Sequence, residues 1–170
     1  MKRLLIAIVV AVAAKLITGC DSDSPEDALW DINSFSVNIE LADAAGNNLL
    51  DSVVPNSMAK QRIFAIYDGQ TYEKDSIKNN EVKTRFYYVE FEGLKTVSDC
   101  DGKPFLEFGP FIGHYDFIDK QVIIAYEDES KEDTIMFNHT VKWKNDKPQV
   151  NTDFFLNGKQ VETNRIRIVK

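Results

Sequence analysis

The side chains able to do chemistry are few and scattered. His114 and His139 are the natural metal ligands and proton carriers, yet neither has a second His or Cys at ligand spacing, so no zinc pattern forms. His139 lies in an alternating run over residues 134–143, where it is expected on the polar side. No G-x-S-x-G elbow is present for a serine nucleophile. Carboxylates are abundant: Glu90 with Glu92, Asp116 with Asp119, Glu127 with Asp128. Such a pair cleaves a glycosidic bond only when held across a cleft, about 5–9.5 Å apart. Asp99-x-Asp101-Gly102 has the start of a calcium loop but not its third acid or its closing Glu, and reads as a bare turn. The expectation is no catalytic residue, no metal and no cofactor.

Flat rings are a different kind of chemistry. Sugar C–H faces stack on them, and Tyr87, Tyr88, Phe111, Tyr115 and Trp143 are the candidates here. In a chain of this size most aromatics belong to the core.

The two thiols differ in context. Cys100 sits between Asp99 and Asp101 and reads as an inert thiol, with a bridge to a second copy as the alternative. Cys20 closes a leader, MKRLLIAIVVAVAAKLITGC. Lys2 and Arg3 are a basic start, and residues 4–14 are an apolar run of eleven. That run is short of the roughly 20 residues a spanning helix needs, and it fits the apolar region of a signal peptide. Ile17-Thr18-Gly19-Cys20 resembles the lipobox of bacterial lipoproteins, although Lys15 is a charge unusually late in the run. The resemblance implies cleavage before Cys20 and lipidation of its thiol, with palmitate among the chains. Two or three acyl chains hold a protein stably on a membrane.

Residues 20–34 follow as an acidic tether, too poor in apolar side chains to order itself. Asp21, Ser22, Asp23, Ser24, Glu26 and Asp27 resemble the surface-export signal of Bacteroidetes lipoproteins. A plain solvated linker is the other reading. Asp51-Ser52-Val53, Asp75-Ser76-Ile77 and Asp133-Thr134-Ile135 resemble the O-glycosylation acceptor pattern of exported proteins in the same group. Ser52, Ser76 and Thr134 would be the acceptors. Together these features resemble a small Bacteroidetes-type envelope lipoprotein, which implies an outer-membrane, surface-exposed location.

Charge narrows the partners. Losing Lys2, Arg3 and Lys15 with the leader leaves 17 basic against 27 acidic residues over 151 positions, a formal charge of −10. Nucleic-acid binding needs concentrated Lys and Arg, so it is disfavoured. So is an electrostatic membrane patch, since lipid supplies the membrane affinity. A chain this long buries roughly 68–70% of its unfolded surface without help from disulfides.

Residues 35–170 must position whatever site exists. Phe35, Val37, Ile39 and Leu41 alternate with Ser36, Asn38 and Glu40, the pattern of a half-buried strand. Asp68-Gly69 and Asn157-Gly158 each separate two β-rich runs and predict tight hairpins. Further strands are expected over 82–91, 105–108, 121–127, 134–143, 150–156 and 165–169. Gly109-Pro110 is expected to break the second of these runs, 105–108, and 144–148 to turn. Nine or ten strands with frequent turns predict an all-β chain, a two-sheet β-sandwich in the Ig-like style. A lipocalin-like β-barrel is the alternative. The functional expectation is a lipid-anchored binding module whose partner is a glycan or another envelope protein. A small-ligand carrier and a carboxylate-dependent enzyme are the competing readings.

Overall fold

The computed structural model describes residues 32–76, 90–127, 131–145, 147–163 and 165–170. The leader, the tether as far as Asp31, and the strand expected from Val82 lie outside them. Among the described residues there is no helix, and none therefore long and apolar enough to cross a membrane.

Among the described residues ten strands form two sheets. The first sheet contains β1 (Phe35–Ala42), β4 (Leu94–Ser98), β5 (Pro104–Phe111) and β10 (Arg165–Val169), in the order β10-β1-β5-β4. The second contains β2 (Ile63–Tyr67), β3 (Gln70–Glu73), β6 (Phe117–Tyr126), β7 (Asp133–Lys144), β8 (Lys147–Leu156) and β9 (Lys159–Val161), in the order β3-β2-β6-β7-β8-β9. Among the described strands only β1 and β10 pair in parallel. The sheets are open, so the chain is a two-sheet β-sandwich and the lipocalin-like barrel does not hold.

Alternation builds the core. Val37, Ile39 and Leu41 of β1 face inward with Leu106 and Phe108 of β5 and Ile166 and Ile168 of β10. They meet Ile63 and Ala65 of β2, Val122 and Ile124 of β6, and Ile135 and Phe137 of β7. All of these are fully or almost fully buried. Each such Val, Leu, Ile or Phe side chain contributes roughly 1.5–3 kcal/mol of burial.

Both hairpin signals hold. Asp68 and Gly69 have φ of 51° and 77°, and Asn157 and Gly158 have 49° and 80°, so both central residues are left-handed as a type I′ turn requires. The stretch around Pro55 forms no strand, as expected. It still buries Leu49, Leu50 and Met58 over one part of the core.

Three expectations need correction. Gly109-Pro110 does not break β5, because the irregularity is absorbed as a bulge. Phe35 pairs with Phe111 and Val37 with Phe108, so Ser36 faces two residues, and Pro110 sits where no ladder donor is needed. The turn expected over 144–148 is tighter, because Lys144 pairs with Lys147 and Pro148 is already in β8. Pro148 is tolerated there because β9 pairs β8 only at Phe154–Leu156. The third is His139, expected on the polar side of its strand and buried instead.

Candidate binding site

Phe137 and His139 share the inward face of β7, so period two carries His139 into the core rather than to the polar side. It is 1% exposed. Nε2 lies 2.8 Å from the Gly113 carbonyl and Nδ1 2.7 Å from the Thr152 hydroxyl. A carbonyl oxygen can only accept, so Nε2 carries a hydrogen. With both nitrogens engaged and Phe35 stacked on its face, the ring is built as a satisfied core element.

Around it the rings gather. Phe111 packs against Phe35, Phe91, Phe117 and Tyr67, with centroids 5.1–5.9 Å apart across its ring contacts, within the range of favourable aromatic pairs. Outside this cluster the surface opens into a hollow of about 540 Å³. Tyr67, Phe91, Phe111, Phe117 and Tyr115 line it, with Pro110, Ile112 and the exposed Glu90. Burial, with a smaller effect from Asp68, pushes the Tyr67 hydroxyl above its ordinary range, so it stays a donor. A hollow of this size, mostly apolar with a few polar groups, is the usual form of a small-ligand site.

Strand ends explain the placement. Tyr67 is the last residue of β2 before the Asp68-Gly69 turn. Phe111 ends β5 and Phe117 opens β6, with Gly113 to Tyr115 turning between them. Ring-bearing termini of three strands therefore converge at one place. Asp116 fixes the turn from outside by accepting the Val141 backbone N–H at 2.8 Å.

The ring candidates separate. Phe111 and Tyr115 come together at the hollow. Phe111 is 5% exposed and forms its floor, whereas Tyr115 is 54% exposed at its lip. Trp143 is 60% exposed near the tip of the β7–β8 hairpin. Tyr87 and Tyr88 lie outside the described residues. Tyr67, Phe91 and Phe117 were not legible as site residues. Their one sequence signal is position, beside a turn at the end of a β run.

Three of the candidate carboxylates, Glu92, Asp116 and Glu127, are held in structural contacts, and Asp128 lies outside the described residues. Glu92 pairs with Lys95 at 2.6 Å, and Glu127 meets Arg62 at 3.3 Å. Asp99 pairs with Arg165 at 2.9 Å and accepts the backbone N–H groups of Asp101 and Lys103. The Arg165 guanidinium, helped by those amides, holds its carboxyl below the usual range. The Asp99–Gly102 segment is thus a closed turn. A polar hollow of about 660 Å³ beside it is lined by both signs of charge, including Asp51, Asp101 and Lys103. Among the described residues no three His, Cys, Asp or Glu side chains are grouped to hold a metal ion. Cys100 is exposed in the same turn.

Cys20 lies outside the described residues. Ser52 is exposed and is followed by Val53, 83% exposed. Ser76 is exposed just past β3, but its neighbour Asp75 is tied to Thr96 through both carboxylate oxygens. Thr134 is half-buried within β7, followed by the fully buried Ile135. Comparison with protein-family models, with curated proteins and with solved structures finds no match.

Proposed function

We propose that the chain is a membrane-tethered, non-catalytic binding module of the cell envelope whose hollow receives a glycan. The hollow at the ends of β2, β5 and β6 carries this reading. Its rings offer flat apolar faces for sugar C–H groups, with Tyr115 the most accessible. Glu90 at the rim supplies a carboxylate that accepts hydrogen bonds from sugar hydroxyls. Phe111 and Phe117 are already packed against core rings, so little ordering of them is required on binding.

The tether follows from Cys20. Lipidated there, the chain stands on the outer membrane through the acidic stretch to residue 34, with the sandwich facing outward. Ser52 is the best-presented of the three O-glycosylation acceptors, since Val53 beside it is also open.

A glycan array probed with the wild-type protein and with Y115A tests the binding half. Selective binding to a sugar, lost in Y115A, is the expected result. No binding, or binding that Y115A leaves intact, removes it. Labelled palmitate incorporated by wild type and not by C20S tests the tether, and a mass shift abolished by S52A tests the glycosylation.

A further inference from the structure

The β7–β8 hairpin outruns the sandwich. Ile135, Phe137 and His139 on its inward face are buried, and alternation continues that face through Val141 to Trp143. Across the ladder Val150 opposes Val141, and Pro148 opposes Trp143. Directly opposed side chains share a face. Phe35, stacked on His139, is the first residue of β1, so the apolar face continues past the start of that strand. There it is open, with Trp143 60% and Val150 47% exposed.

The other face is basic. Lys142 and Lys144 alternate with Trp143, and Lys147 pairs with Lys144. All three are exposed, and none forms an ion pair with another described residue. In a chain of net charge −7 this places lysines and a tryptophan together on one projecting tip.

We propose that this tip docks on a lipid bilayer bearing anionic headgroups, with Trp143 and Val150 in the interfacial layer and the three lysines on the phosphates. Tryptophan favours the membrane interface because its ring is apolar with one polar edge, and basic segments are drawn to anionic leaflets. Position agrees with charge. Gly113, whose carbonyl binds His139, has its Cα against the backbone of Asn33, so the first described residues and the base of the hairpin share one end of the sandwich. From His139 to Trp143 is about 13 Å of extended strand. The inference rests on the tether reading, which brings a membrane within reach of that end. The net negative charge argues against a membrane patch only as an average, and it does not describe the tip.

The full-length chain carrying W30F leaves Trp143 as the sole tryptophan. Reconstituted into vesicles of phosphatidylcholine with phosphatidylglycerol, Trp143 is expected to emit to the blue and to be quenched by brominated phospholipid. In phosphatidylcholine alone the quenching falls. K142E/K144E/K147E in the same background loses the quenching in both vesicle types while the protein still floats with them. These lysines point away from the core, and unchanged circular dichroism checks the fold. Unquenched Trp143 on vesicle-bound protein, or quenching indifferent to headgroup charge and to the triple substitution, overturns the proposal. If the triple variant also leaves the vesicles, the tether reading fails while the hairpin contact stands.

Discussion

Phe35 lies flat on His139, with ring centroids 4.1 Å apart and planes 9° from parallel. One ring belongs to the four-stranded sheet and the other to the six-stranded sheet, so the contact fastens the two layers beside the aromatic hollow. It also explains how a histidine is accommodated in the core. Its face is covered by carbon and its edge is fully hydrogen-bonded.

H139F keeps a ring on Phe35 but removes both nitrogens. The Gly113 carbonyl and the Thr152 hydroxyl then lose their partner, and a buried unsatisfied polar group costs about 1–3 kcal/mol. F35A removes the ring itself and is expected to cost more, about 3–5 kcal/mol, by transfer and cavity effects together. Urea unfolding of the two variants gives both values.

Asp133 joins strands from both layers. Its carboxylate accepts from Asn157 at 3.0 Å, Tyr126 at 3.1 Å and Lys170 at 2.9 Å. Burial pushes the carboxyl up, but the hydrogen bonds from Asn157, Lys170 and Tyr126 and the Lys170 charge outweigh it and hold it below 3.8. A carboxyl lowered in the folded state stabilises fully above its unfolded value, and the contribution is lost as pH falls through the folded value. Thermal stability is therefore expected to fall as pH drops below about 4. D133N should be less stable near neutral pH by roughly 1.5–3 kcal/mol and should flatten that acid limb. A melting-temperature series from pH 7 down to pH 3, run on both proteins with pH values set by about one unit, checks it.

Three glycines should respond differently to alanine. At Gly69 φ is 77° with open space around the new Cβ, so G69A costs only left-handed strain, roughly 1–2 kcal/mol. At Gly109 φ is 143° and the Cβ would meet Ser36 Oγ at 3.0 Å, so G109A is expected to cost more than G69A. At Gly113 the Cβ would overlap the Asn33 carbonyl, which forces the backbone apart where the chain joins the domain and disturbs the His139 acceptor. Thermal melts that ranked G69A as the most damaging would contradict this order.

Tyr115 and Trp143 are exposed rings with no core role. Y115A and W143A are each expected to change stability by no more than about 0.5 kcal/mol. Denaturant midpoints read this directly, and a larger loss in either would make that ring structural.

Period two made most of the fold legible. It located β1, β7 and β10, and the Asp-Gly and Asn-Gly pairs fixed two turns and, with the first of them, β2. It also contained the answer for His139, because Phe137 and His139 are two apart. The residue's polarity obscured a parity that the strand obeys. β4 was not legible, since Lys95, Thr96 and Ser98 dilute a five-residue edge strand. Gly109-Pro110 misleads because one strand cannot show that its partner accommodates a bulge. The hollow was legible only as single rings, Phe111 and Tyr115. Its other walls come from Phe117, two residues past Tyr115, and from Tyr67 and Phe91, which are distant in sequence and join it only when the sheets pack.

Tyr115 stands at the lip of the aromatic hollow proposed to receive a glycan. The most direct measurement is calorimetric titration of the sugar selected on the array into wild type and into Y115A. The expected result is saturable binding to wild type, weakened by about tenfold or more in Y115A, equivalent to roughly 1.4 kcal/mol. Equal affinity in the two proteins would contradict it.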